Sequence, residues 1–235
     1  MLKVSRQPDG SPEIFYSIQG EGINLGKPAV FLRLALCNLS CKWCDTKYTW
    51  DWKHYNQKSE IVEMEPTEIE ENIRKYECKY LVVTGGEPLI QQKQLLPLLK
   101  FHKNRDFNIE VETNGTIVPT RNLISLIDHW TVSPKLSSSG NARFSREVPA
   151  VYRFFAKLPS THFKYIVRNE SDIVEVQKII SEYNLTPQKI ILMPEATDRE
   201  GLIERSKWLV EICKSQGYLF STRLQIILWG NRRGV

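Results

Sequence analysis

Cys37-Asn38-Leu39-Ser40-Cys41-Lys42-Trp43-Cys44 follows directly on the apolar run Ala29-Val30-Phe31-Leu32-Arg33-Leu34-Ala35-Leu36. The run reads as a buried strand and the cysteine stretch as the polar loop that leaves it. With three residues between the first two thiols and two between the next, one tight loop wraps a cubane, each thiolate on a different iron. Three ligands for the four irons of a 4Fe–4S cluster leave one iron open to a substrate or cofactor. Structural zinc would need a fourth Cys or His at suitable spacing. His54 is the only near candidate, in surroundings unlike a zinc knuckle. Free buried cysteines fit poorly with a loop carrying Asn38, Ser40 and Lys42.

Outward from the loop, strand-like and helix-like segments alternate. Strands are predicted over residues 80–84, 108–112, 129–132, 161–167 and 189–193, with residues 224–228 closing the series. Helices are predicted from Pro66 to about Tyr76 and over residues 93–102, 122–127, 171–183 and 201–216, with Pro97 counting against the second unless it falls in a first turn. Such alternation implies a parallel sheet covered by helices. The fold expected is α/β, a partial, open βα barrel of about six parallel strands, formed by residues 1–235 as a single domain. Residues 48–64 and 136–149 break the rhythm and read as loops, and ligands bind where loops leave parallel strand ends.

Four strand ends carry polar or Gly/Pro loops. Thr84-Gly85-Gly86-Glu87-Pro88 offers free N–H donors and close backbone approach, and Glu87 adds an acceptor for an ammonium. Glu112–Thr116, Ser133-Pro134-Lys135 and Met193-Pro194-Glu195-Ala196 end later strands. Each alone reads equally as an ordinary turn; together they fit one ligand site at the C-terminal rim of the sheet. Arg33 stands in an otherwise apolar strand, and an interior guanidinium needs an anion, either a protein acid or a ligand carboxylate.

Of the 235 residues, 41% are hydrophobic and 25% charged, the mix of a soluble globular protein. The net charge of +5 is spread out, with no basic run interleaved with aromatics to indicate nucleic acid. No segment is apolar enough to span a bilayer, and the N-terminal stretch lacks the apolar run of a signal peptide. Three clustered cysteines and two isolated ones, Cys78 and Cys213, make a poor disulfide framework, and a cytoplasmic location is expected. Cys78 and Cys213, the remaining histidines, and Trp50, Trp52, Trp130 and Trp208 are read as structural.

Cys-x3-Cys-x2-Cys with an aromatic before the last Cys, followed by Gly-Gly-Glu-Pro at a strand end, resembles the radical S-adenosylmethionine (SAM) superfamily. Glu13-Ile14-Phe15-Tyr16-Ser17-Ile18-Gln19-Gly20-Glu21-Gly22, Arg33 and Cys44-Asp45-Thr46 narrow the resemblance to the 7-carboxy-7-deazaguanine synthase family, over essentially the whole chain. The resemblance implies a carbon–nitrogen lyase that converts 6-carboxy-5,6,7,8-tetrahydropterin to 7-carboxy-7-deazaguanine and releases ammonia. It implies SAM cleaved to a 5′-deoxyadenosyl radical and then regenerated, with Mg²⁺ assisting. It further implies a flavodoxin or ferredoxin as electron donor, a homodimer, and neither nucleic acid nor membrane as partner.

Carried over by motif, the resemblance gives the cluster to Cys37, Cys41 and Cys44, and Mg²⁺ to Thr46. SAM falls to Trp43, Cys44, Asp45, Gly86, Glu87, Ser133, Pro134, Lys135, Met193, Pro194, Glu195 and Ala196. The pterin falls to Ile18, Gln19, Gly20, Arg33, Thr84 and the final residue, Val235, with residues 11–28 as the recognition segment. Two other readings compete: a radical SAM activase that makes a glycyl radical on a partner protein, and a zinc-stabilised, non-enzymatic module that docks to RNA. The activase would not need the N-terminal motif or Arg33. The zinc module lacks a fourth ligand.

Overall fold

The computed structural model describes residues 1–235. Its strands are β1 (Leu2–Ser5), β2 (Ile14–Ile18), β3 (Pro28–Leu34), β4 (Ile61–Met64), β5 (Tyr80–Gly85), β6 (Asn108–Thr113), β7 (His129–Val132), β8 (Thr161–Val167), β9 (Ile190–Pro194) and β10 (Leu219–Phe220). Its helices are α1 (Gln57–Glu60), α2 (Pro66–Ile73), α3 (Gln92–Lys103), α4 (Arg121–Ile124), α5 (Arg143–Arg146), α6 (Pro149–Lys157), α7 (Glu170–Tyr183), α8 (Arg199–Gln216) and α9 (Leu224–Trp229).

All ten strands form one sheet, ordered β10-β9-β8-β7-β6-β5-β3-β1-β4, with β2 also paired to β3. β3 and β5 to β10 run parallel, while β1, β2 and β4 are antiparallel additions at the β3 end. The sheet has seven parallel strands rather than about six, and edges at β10 and β4, so the barrel is open. No helix is long and apolar enough to cross a membrane.

Side chains alternate across each strand, and the two faces differ in character. Leu32, Leu81, Val83, Ile109, Val111, Trp130, Phe163, Tyr165 and Leu192 belong to the main core, with Leu95 and Leu99 of α3, Phe155 of α6, Val176 of α7 and Leu209 of α8. The intervening residues face the concave side. Phe31 and Val82 form a small apolar cluster there with Phe15, Ala29 and Tyr80. Glu110, Thr131 and Lys164 are buried polar residues, and Arg33, Glu112 and Lys164 line a cavity. The outer face holds the fold together, and the inner face builds a polar pocket.

Several expectations need correction. Residues 224–228 are helical, within α9, and the last strand is the shorter β10; a brief apolar run does not distinguish the two by periodicity. α3 runs through Pro97 and closes with three basic residues in its last turn. Residues 48–64 are not all loop, since α1 and β4 lie within them and β4 pairs with β1. Residues 136–149 hold α5 and the first residue of α6. Ile14–Ile18 is a strand, in register with Pro28–Leu32 of β3.

Candidate active site

The cysteine loop leaves β3 through Leu36, a non-glycine residue at φ 73°. That conformation is unfavourable for a branched side chain, and the backbone around it is pinned. The Leu36 N–H donates to the Thr49 carbonyl (2.8 Å), and its carbonyl accepts from the Glu87 N–H (2.8 Å). Gly85 (φ 136°) and Gly86 lie so close to this segment that a Cβ on either would overlap the Leu34 or Leu36 backbone. The two glycines are required for the two loops to touch, which sets the cysteine loop against the end of β5.

One cavity of about 1340 Å³ including its mouth occupies the C-terminal rim. Cys37, Cys41 and Cys44 line it, with Trp43, Asp45, Thr46, Gly86, Ser133, Lys135, Met193 and Glu195. Ile18, Gln19, Gly20, Arg33, Thr84 and Val235 line it too. The N-terminal motif and the cysteine loop, read separately in the sequence, therefore line one cavity.

The residues present fit an iron–sulfur cluster. Each thiol has a side-chain N–H near its sulfur, from three different segments. Trp50 Nε1 lies 3.3 Å from Cys44 Sγ, Asn141 Nδ2 lies 3.3 Å from Cys41 Sγ, and Asn114 Nδ2 lies 3.9 Å from Cys37 Sγ. Donors of this kind suit anionic sulfur and tune cluster potentials. Without a metal, burial pushes the Cys37 thiol up to about 12 and raises Cys41 as well. Bound iron reverses that preference. No three His, Cys, Asp or Glu groups converge tightly enough to hold a single metal ion. Trp50, read as packing, is instead a donor to a cysteine sulfur.

Four residues expected at the site do not line the cavity. Glu87 is fully buried. Its carboxylate accepts from the Leu89 N–H (3.0 Å), the Thr113 hydroxyl (2.8 Å) and the Asn114 N–H (2.6 Å). Burial raises its pKa, although these donors oppose the shift. It clips the β5 loop to the end of β6 rather than facing a ligand ammonium. Pro134 and Pro194 are likewise absent from the wall. Ala196 packs with Leu202 and Ile226, and its carbonyl accepts from Arg223 Nη1 (2.7 Å).

Arg33 has a protein partner. Its Nε lies 2.7 Å from Oε1 of the fully buried Glu13, which also accepts from the Tyr48 hydroxyl (3.0 Å). The Arg33 pKa is raised: burial opposes the charge, but Glu13 outweighs it. The terminal nitrogens of the guanidinium make no protein hydrogen bond, so the fork is half used. Lys135 stands over the Trp43 ring at 5.7 Å, donates to Ser133 Oγ (2.9 Å) and has no carboxylate partner. Glu195 pairs with Arg205 (3.1 Å) and Arg168 (3.6 Å).

Sequence reasoning did not single out Lys164 or Arg223, which line the same cavity, and took Glu21 and Glu112 only as parts of the N-terminal motif and of a strand-end segment. Lys164 pairs with Glu21 at 2.6 Å and lies 3.9 Å from Glu112. Glu112 also accepts from Gln19 Nε2 (3.2 Å) and the Thr84 hydroxyl (2.8 Å). Burial alone would raise the Glu21 pKa; Lys164 and Arg223 overrule it and hold the group well below the usual carboxylate range. Burial likewise opposes the charge on Lys164, yet Glu112 and Glu21 raise its pKa.

An open parallel sheet with three thiols, a glycine pair and polar strand ends around one cavity defines a radical SAM protein, and the sequence profile of that superfamily matches residues 34–136. The chain is 40% identical to a 7-carboxy-7-deazaguanine synthase of Pyrobaculum aerophilum, over 94% of this chain and 95% of that one. It is 30% identical to one of Rhodopirellula baltica, over 94% and 87%. The crystal structure of QueE from Escherichia coli superposes with a TM-score of 0.66 at 26% identity, covering 94% of each chain. SuiB of Streptococcus suis, solved with SAM bound, shares the fold with a TM-score of 0.54 at 13% identity, over 85% of this chain and 53% of that one. The chain belongs to the 7-carboxy-7-deazaguanine synthase family; it is a radical SAM enzyme that takes a 4Fe–4S cluster and SAM.

Proposed function

We propose that the cavity binds SAM at its cysteine-loop end and 6-carboxy-5,6,7,8-tetrahydropterin beside β2 and β3, and that the chain converts the pterin to 7-carboxy-7-deazaguanine with release of ammonia. The observation that carries this reading is one cavity lined by Cys37, Cys41 and Cys44 together with Gln19, Arg33 and Thr84. When bound, the cluster and SAM supply the one-electron chemistry that starts hydrogen abstraction.

The chain's own residues bind and orient. The thiols of Cys37, Cys41 and Cys44 hold the cluster, with Trp50 and Asn141 donating to two of the sulfurs. Lys135 offers a free ammonium to the SAM carboxylate. Gly86 lets the backbone approach, and Trp43, Asp45, Ser133, Met193 and Glu195 form the rest of that end. The free arm of Arg33 binds the pterin carboxylate, since a guanidinium fork matches a carboxylate. Gln19, already held by Glu112, meets the amide edge with Ile18 and Gly20, and Thr84 and Val235 close the pocket. Thr46, beside Asp45, offers a hard oxygen to Mg²⁺, which otherwise keeps substrate oxygens or water. A flavodoxin or ferredoxin supplies the electron. A homodimer is supported by the exposed apolar residues Ile23, Leu25 and Phe220 near the β10 edge.

Arg33→Lys tests the substrate half. Lysine retains a cation for Glu13 but loses the fork. One charged hydrogen bond is worth about 1.5–3 kcal/mol, so the pterin KM should rise about 10- to 150-fold, while SAM cleavage without pterin persists. An unchanged KM removes the pterin carboxylate from Arg33.

A further inference from the structure

Arg223 lies between β10 and α9, outside every motif read in the sequence, and its side chain is 9% exposed. Each of its nitrogens serves a different segment. Nε donates to Glu21 Oε1 at 3.1 Å, Nη1 to the Ala196 carbonyl at 2.7 Å, and Nη2 pairs with the Asp45 carboxylate. Glu21 belongs to the N-terminal recognition motif, Asp45 follows the last cluster cysteine, and Ala196 ends the β9 loop. One guanidinium therefore ties the substrate segment to the two segments assigned to SAM.

The tie continues across the cavity. Glu21 is shared with Lys164 (2.6 Å) and Gln225 Nε2 (2.7 Å), and Lys164 reaches Glu112 at 3.9 Å. Glu112 in turn holds Gln19 and Thr84. The order Asp45, Arg223, Glu21, Lys164, Glu112 alternates in sign from the cluster loop to the pterin-facing side chains. The backbone reinforces the contact: the Leu224 N–H donates to the Gly20 carbonyl (2.9 Å) and the Gly22 N–H to Ser221 Oγ (2.8 Å). Arg223, Glu21 and Lys164 are 14% exposed or less, so pulling Arg223 from the set removes a charged partner from buried Glu21, which costs more than moving the set together. A ligand that fixes one end therefore favours the arrangement that suits the other.

Taking the two-ligand reading above as its basis, we propose that Arg223 is a positioning residue that makes SAM and the pterin bind cooperatively. Linkage requires the effect to be reciprocal. The test uses the full chain with its cluster reconstituted and kept oxidised, so that nothing turns over. Equilibrium dialysis gives the SAM Kd with and without saturating 6-carboxy-5,6,7,8-tetrahydropterin. Wild type should show a coupling factor within the usual range of about 5–150. Arg223→Met should bring the factor to about one while still binding SAM. Arg223→Lys, which keeps a cation but spans fewer partners, should fold and fall between the two. Thermal melting by circular dichroism checks each variant. A wild-type factor of one, an unchanged factor in folded Arg223→Met, or loss of SAM binding or of folding in both variants would overturn the role of Arg223. If wild type binds SAM but no pterin, the substrate reading itself fails and the coupling falls with it.

Discussion

Single residues at this site carry consequences out of proportion to their size. Trp50 Nε1 sits 3.3 Å from Cys44 Sγ. An N–H donor stabilises the more negative, reduced cluster, so Trp50→Phe should shift its midpoint potential to more negative values. An EPR-monitored redox titration of the SAM-free protein reads the shift, and an unchanged potential would remove Trp50 from the role. Arg33 stood out in the sequence because a charge interrupts an apolar strand. The same signal marks Lys164 in β8 and Glu110 and Glu112 in β6, where charged residues alternate with Phe163, Tyr165, Ile109 and Val111. Applied to every strand, it would have found the inner polar face. Arg223 carries no such mark: its carboxylate partners lie 178 and 202 residues away along the chain, and only the closed fold brings them together.

At the scale of elements, Glu87 shows how two motifs become one structure. Its carboxylate caps the short 3-10 turn at Pro88–Gln91 and binds Thr113 and Asn114 at the end of β6. Glu87→Ala leaves two backbone N–H groups and a hydroxyl buried without acceptors, at about 1–3 kcal/mol each. The urea midpoint should fall by an amount equivalent to several kcal/mol, and a midpoint within error of wild type would contradict this account. The repeating strand–helix elements were legible because their apolar runs are long and their ends are marked. Asn169 and Asp198 cap α7 and α8, and the left-handed Asn184 and Gly217 end them. β1 and β4 have only four residues each and are held by pairing with each other and, for β1, with β3, which no local pattern reveals. α9 is a six-residue, mostly apolar run, and tertiary packing of Ile226 on Ala196 and Leu202 decides its form.

The whole molecule divides its sheet into a structural outer face and a functional inner one, and this division extends to its response to pH. His129 opens β7 and His162 lies in adjacent β8, their rings 5.1 Å apart. Burial lowers each to about 4, aided at His129 by Lys27 and at His162 by His129 and Lys189. A folded-state pKa below the unfolded value of about 6.5 means the unfolded chain takes up the protons first. Stability from these two rings is complete above about pH 6.5 and is lost as pH falls toward 4. The melting temperature should therefore drop between pH 7 and pH 5, and His162→Leu should reduce the drop. Equal drops in both proteins would assign the acid sensitivity elsewhere.

The central claim is that one cavity presents SAM to a carboxylated pterin, and turnover tests it most directly. The protein would be reconstituted anaerobically with iron and sulfide, reduced, and given SAM, Mg²⁺ and 6-carboxy-5,6,7,8-tetrahydropterin, with products followed by mass spectrometry. The account predicts 7-carboxy-7-deazaguanine and ammonia in equal amounts, with SAM not consumed in proportion. An intact cluster that slowly cleaves SAM to 5′-deoxyadenosine and leaves the pterin untouched would contradict it.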